Sequence, residues 1–119
     1  MHNLDFIQNF RAQGEILAKR IVKHGTEDRT ATRAVDGAAP CIGISVQLKA
    51  EDGGRVDVAR NQVAEVEYGA AVTRGQRLKA DAQGRAVPAI SGDFYVGTAE
   101  ISGTTGDIGE CFINPGQEQ

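Results

Sequence analysis

Val66 to Ala89 reads Val-Glu-Tyr-Gly-Ala-Ala-Val-Thr-Arg-Gly-Gln-Arg-Leu-Lys-Ala-Asp-Ala-Gln-Gly-Arg-Ala-Val-Pro-Ala, and this stretch decides the fold class. Its apolar runs are two or three residues long, and each ends at a glycine, an aspartate or a proline. That is the pattern of short strands joined by tight reversals. Asp81-Ala82-Gln83-Gly84 suits a type I turn closed by a left-handed glycine, and Pro88, which has no N–H to donate, belongs at a strand start or edge. The run carries no catalytic constellation and reads as scaffold.

Working outward, Ile42, Ile44 and Val46 alternate with Gly43, Ser45 and Gln47, so one face of a strand should point inward and the other toward solvent or a neighbour. Phe94, Val96 and Thr98 repeat the alternation. Val56 with Val58, Val63 with Val66, Leu78, Val87, and Ile108 with Phe112 supply further short runs, which makes about eight strands. Asp52-Gly53-Gly54 offers residues that accept positive φ, Gly103-Thr104-Thr105-Gly106 reads as a looser connection, and Pro40, like Pro88, belongs at a strand start or edge. A weak internal duplication pairs Ile21-Val22-Lys23, Arg33-Ala34-Val35, Ile42-Gly43-Ile44 and Gly54-Arg55-Val56-Asp57-Val58 with Leu78-Lys79, Arg85-Ala86-Val87, Val96-Gly97-Thr98 and Gly106-Asp107-Ile108. The expectation is an all-β barrel or sandwich spanning 21–119, preceded by an N-terminal arm or short helical segment over 1–20. In that segment Leu4, Ile7 and Phe10 fall at helical spacing and Gly14 interrupts. Phe6, Ile7 and Phe10 either cover one end of the barrel or leave it as an arm that docks on a partner.

A chain of 119 residues is one domain by length and can bury roughly two-thirds of its unfolded surface. Trp is absent and Gly numbers 15, so the core must be assembled from Val, Ile, Leu and Ala on many short elements, with association adding stability. The net charge is −3 and the basic residues are scattered, which argues against nucleic acid as a partner. There is no signal-like apolar segment and no run near the roughly 20 residues of a membrane span, so no membrane partner is expected and the chain should stay in the cytoplasm where it is made. Cys41 and Cys111 read as buried, reduced thiols.

Reactive groups do not assemble along the sequence. The two histidines are His2, near a terminus, and His24, in a polar turn, and neither has a nucleophile beside it. Glu51-Asp52 and Glu65 with Glu67 read as solubilising charges. Gly69-Ala-Ala-Val-Thr-Arg-Gly75 lacks the Lys-Ser/Thr of a phosphate loop. Thr26-Glu27-Asp28 and Asp107 match no calcium-loop spacing, so no metal, cofactor or catalytic residue is expected.

The Val66–Ala89 run, continued by Gly92, Val96-Gly97 and Gly106-Asp107-Ile108, resembles the small capsid decoration (cement) proteins of bacteriophages. Their pattern is close to G-A-x-V/I-x-x-G-x-x-L-x-x-D-x-x-G-R/K-A-V-P-A followed by V-G-x-A. The likeness reaches back to about Ile21 and is densest from Gly69 to Gly97. It implies a non-enzymatic virion protein on the outer capsid surface, present in the host cytoplasm during assembly, that stabilises contacts between major capsid protein subunits as a homotrimer. Under that reading Leu4, Phe6, Ile7 and Phe10 anchor to the capsid protein, and the small-residue surface at Tyr68, Gly69, Ala70 and Ala71 makes the self-contact. Two readings compete. One is a phage tail or baseplate component. The other is a biotinyl or lipoyl carrier domain, which shares a V-x-x-G-x-x-L segment (Val72 to Leu78) and would present Lys79 on an exposed hairpin.

Overall fold

The computed structural model describes residues 7–46 and 49–119 and is all-β, with no helix among the described residues. Ten strands follow one another: β1 (Ile7–Ala12), β2 (Ile21–His24), β3 (Thr30–Arg33), β4 (Gly43–Ser45), β5 (Arg55–Ala59), β6 (Val63–Glu67), β7 (Arg77–Ala80), β8 (Ala86–Pro88), β9 (Phe94–Ala99) and β10 (Ile108–Gln117). The first five close a barrel in the order β1-β3-β2-β4-β5, β1 pairing antiparallel with β5 and parallel with β3. The last five form a sheet in the order β6-β10-β9-β7-β8.

The two sheets are one motif built twice. Val22 pairs with Arg33 and Gly43 in the first unit as Leu78 pairs with Pro88 and Gly97 in the second. The β1–β5 register, Ile7 opposite Ala59 through Arg11 opposite Arg55, recurs as Val63 opposite Phe112 through Glu67 opposite Ile108. Even the isolated bridges repeat, Ile16 with Ala50 as Val72 with Gly103. The offset between matched residues shrinks from 56 at Val22 and Leu78 to 53 at Val58 and Cys111, so the second copy has lost three residues to shorter connections. This confirms the duplication read from sequence and corrects two of its anchors: Ala31, not Ala34, matches Ala86, and Gly53, not Gly54, matches Gly106.

Matched positions exchange volume to keep each interior filled. Ala12, Val56 and Ala50 in the first unit become Tyr68, Gly109 and Gly103 in the second. The Tyr68 ring is fully buried and occupies the room that side chains at Gly103 and Gly109 would need, while its hydroxyl donates to the Ile101 carbonyl at 2.6 Å. Core packing tolerates such swaps because total volume is conserved. Two other glycines answer each other across the duplication. A Cβ on Gly43 or Gly97 would overlap the carbonyl oxygen of Ala59 or Phe112 on the neighbouring strand, so both positions require the bare backbone.

Burial divides into two clusters. Phe10, Ala12, Ile16, Val22, Ala31, Ile42, Ala50, Val56 and Val58 fill the first barrel. Ile21, Ile44, Cys41 and Ala59 instead face outward from it and pack with the second unit's interior, including Val66, Tyr68, Leu78, Val96 and Cys111. Strand β4 therefore has both faces covered, the outward one by a neighbour, the second unit, and not by solvent. Its polar residue, Ser45, is fully buried and satisfied, donating to the Leu17 carbonyl at 2.7 Å and accepting from the Arg20 amide at 3.1 Å.

Two strands exceed the eight expected. Strand β3, Thr-Ala-Thr-Arg, has no large apolar residue to betray it, yet Thr30 and Ala31 are buried. Strand β1 lies within the segment assigned to an arm or helix, but Phe10 and Ala12 point into the barrel at strand spacing, and Ile16 bridges to Ala50. Of 1–20, only residues 1–6 fall outside the described structure.

Substituting Gly97→Ala is expected to cost about 1–3 kcal/mol in a urea melt, with Gly43→Ala costing a similar amount. Unchanged midpoints would contradict the close approach assigned to both.

Candidate functional site

The two units are joined through their backbones. The Glu67 amide donates to the Lys19 carbonyl at 3.1 Å and the Ile21 amide donates to the Gly84 carbonyl at 2.8 Å, so Lys19–Ile21 of the first unit sits between β6 and the turn before β8. This is where the second unit departs from the first. Barrel one is closed at this position by the Arg11 amide on the Arg29 carbonyl, whereas unit two keeps only the Tyr68–Ala86 bridge and takes a foreign segment instead. Arg20 clamps the joint. Its guanidinium donates to Glu67 Oε1 at 3.0 Å and to the Gln83 carbonyl at 2.9 Å, with its side chain only 12% exposed. Arg85 adds contacts to Glu67 at 3.8 Å and to Asp81 at 3.2 Å. Glu67, expected to be a solubilising charge, is thus a structural ion, while its strand neighbour Glu65 is exposed and meets Lys19 at 3.7 Å.

The turn after β7 forms as its sequence demands. Asp81 Oδ1 accepts from the amides of Gln83 and Arg85, both at 2.9 Å, and Gly84 sits at φ +80°. The connection at Gly103–Gly106 is tighter than expected: the Asp107 carboxylate accepts from the Thr104 amide at 2.9 Å and the Asp107 amide returns to the Thr104 carbonyl at 3.0 Å.

The residues expected to contact partners separate on inspection. Leu4 and Phe6 lie outside the described residues. Ile7 is 40% exposed at the start of β1, whereas Phe10 is buried, so Phe10 holds the barrel together and does not reach a partner. Tyr68 is likewise core. Gly69 and Ala70 are partly covered, leaving Ala71 as the exposed member of that group. Sequence reasoning passed over a different surface, the outward row of β6 and β10. There Val63 (50% exposed) stands directly opposite Phe112 (44%), Glu65 opposite Glu110, and Ile108 is also exposed. Val63 and Phe112 read from sequence only as members of short apolar strand runs, with nothing to show that they pair on the outer face.

Groups with chemical potential are occupied or quenched. Lys79 lies within β7 opposite Val87, and its ammonium contacts Asp93 at 3.0 Å, which is not the exposed hairpin lysine of a carrier domain. Asp93 also accepts from the Ile90 amide at 2.9 Å; this bond first, and Lys79 second, hold its carboxyl below the usual range. His24 ends β2 and is exposed, its ring 6.3 Å from that of Phe10 in an edge-on arrangement. Cys41 and Cys111 are free and buried, and loss of hydration pushes their thiols up to about 11 and about 12.

No family model matches this chain, and neither does any curated protein. Among solved structures, the crystal structure of the head fiber gp8.5 N base in bacteriophage phi29 is similar, with a TM-score of 0.72 and 18% sequence identity over 91% of this chain and 92% of that one. At this identity the likeness is one of fold.

Two outcomes are expected. Arg20→Ala removes charge-assisted hydrogen bonds at a mostly buried joint and should cost about 2–3 kcal/mol in a denaturant melt, while Arg11→Ala, whose pair with Glu27 is exposed on both sides, should cost under about 1 kcal/mol. The pH profile follows from the thiols. Both folded pKa values are raised, so the stability tied to the bound protons is intact below the unfolded value of 9.0 and is lost as pH climbs from there toward 11 and 12. Tyr68, also raised by burial, acts in the same direction. Urea midpoints should hold level up to about pH 8.5 and fall above it, and Cys41→Ala with Cys111→Ala should flatten the fall.

Proposed function

We propose that this chain is a non-enzymatic decoration protein of a bacteriophage head, seated on the outer capsid surface, where it stabilises contacts between major capsid protein subunits. The observation that carries the reading is the fold shared with a phage head fiber base over 91% of the chain. It agrees with the decoration-protein pattern between Gly69 and Gly97. The carrier-domain alternative loses its modified lysine to the Lys79–Asp93 pair. A tail or baseplate location has no observation in its favour.

In this reading the chain acts as a homotrimer. A 119-residue chain offers a modest footprint, but three copies on one symmetric platform bind tightly, because later contacts form at high effective concentration. Attachment to the capsid protein runs through Leu4, Phe6 and the exposed Ile7 that opens β1, while Phe10 stays in the barrel. Ala71, exposed beside Gly69 and Ala70, contributes to the self-contact.

The test combines mass and occupancy. Sedimentation equilibrium should give three times the 12.6 kDa chain mass, and the full-length protein should co-sediment with purified heads of its source phage. Removing residues 1–6 should leave the unfolding free energy from a urea melt within about 0.5 kcal/mol of the parent and abolish co-sedimentation. A full-length chain that ignores heads defeats the function; a truncated chain that still decorates them defeats only the anchor.

A further inference from the structure

The duplication supplies a comparison, because the second unit builds the same backbone with other side chains. Three arginines of the first unit that have no basic counterpart in the second gather in one place. Arg11 and Arg55 stand directly opposite each other on β1 and β5, where the second unit has Glu67 and Ile108. Like charges directly across a strand pair oppose folding. Arg29 precedes β3 at φ +63°, the left-handed region, where the matched residue is Gly84 at +80°. A side chain in this conformation is strained, and the second copy shows that glycine serves the turn.

These costs converge on one place. The Arg11 amide donates to the Arg29 carbonyl at 2.9 Å, which brings the two residues side by side, and Arg11, Arg29 and Arg55 line an open hollow of about 360 Å³ with Asn9, Phe10 and the backbone of Gly53 and Gly54. Arg55 is oriented for use: Asn9 Oδ1 accepts from its Nε at 2.7 Å, leaving both terminal nitrogens for another acceptor. Asn9 Nδ2 in turn donates to Asp57 Oδ1. Arg11 has an exposed contact to Glu27 at 3.1 Å, and among the described residues no ion pair engages Arg29 or Arg55.

We propose that the Arg11–Arg29–Arg55 hollow is a binding site for carboxylate side chains, and that it receives an acidic segment of the partner protein. Guanidinium forks grip planar carboxylates through two parallel hydrogen bonds, and one carboxylate shared between Arg11 and Arg55 removes the repulsion between them. A nucleic-acid backbone is the weaker match. Three arginines in one hollow, on a chain of net charge −3, suit a compact carboxylate better than a long phosphate backbone. The site itself stands on the geometry; only the identity of the partner as a capsid protein rests on the function proposed above.

The test uses the full-length ¹⁵N-labelled chain and a hexaglutamate peptide, observing the arginine Nε–H signals. Saturable shifts are expected at Arg29 and Arg55. Arg29→Gly should weaken the peptide at least about tenfold while holding or raising the urea midpoint, because it restores the residue the turn prefers. Arg55→Gln should weaken it comparably, and Arg74→Gln, far along the chain and outside the hollow, should not. Absence of saturation, equal affinity after Arg29→Gly, a loss of stability in that variant, or tighter binding of hexathymidylate than of the peptide would each overturn the proposal. On heads, Arg29→Gly should lower occupancy relative to the parent chain. Undiminished occupancy would overturn the capsid partner, whereas a parent chain that does not bind heads at all defeats the function and not the site.

Discussion

The seating of Lys19–Ile21 between β6 and the Gly84 turn is the constraint on which the rest of the molecule depends. Two similar five-stranded units, each with a thin interior of valine, isoleucine, leucine and alanine, would have little stability as separate bodies. At this seam the two units exchange backbone hydrogen bonds, and Ile21, Ile44, Cys41 and Ala59 turn their side chains into the neighbouring core. Arg20 then ties three segments together through Glu67 and the Gln83 carbonyl. A mostly buried ion pair adds stability only when its hydrogen bonds are met, and Arg20 meets them on its terminal nitrogens while its Nε has no partner in the described structure. The interaction thus fixes geometry as much as it adds energy.

Duplication followed by divergence explains features that one unit alone leaves unaccounted for. The exchange of Ala12, Val56 and Ala50 for Tyr68, Gly109 and Gly103 keeps the volume and changes which residue supplies it. The outward rows have diverged in chemistry. Asn9, Arg11 and Arg55 on β1 and β5 answer to Glu65, Glu67 and Ile108 on β6 and β10, with Val63 and Phe112 turned outward at the second unit's free end. One backbone therefore presents a basic hollow on one unit and an acidic, apolar row on the other. Divergence on a shared frame thus lets one chain present two unlike surfaces.

Much of the fold was legible because turns are local. Gly53, Gly84 and Gly106 all adopt positive φ, and Asp81 caps its turn through the residues adjacent to it. The motif between Gly69 and Gly97 carried the functional reading for the same reason. What stayed hidden depends on distant residues. Strand β3 is buried by its neighbours and not by its own composition. Ile7 and Phe10 sit three apart, which suits a helix, yet Phe10 and Ala12 alternate inward as a strand whose partner β5 lies more than forty residues away. Glu67 and Arg20 are 47 residues apart, so nothing near Glu67 announces a structural ion. Arg29 could be recognised as unusual only once its φ and its counterpart Gly84 were both known.

Electron cryomicroscopy of the intact native head is the most direct measurement of the central claim. The account requires density for the two-unit fold on the outside of the shell, bridging adjacent capsid protein subunits, with β1 leading toward the shell. A map in which the outer surface is bare, or in which this fold sits at the tail or inside with the genome, contradicts it.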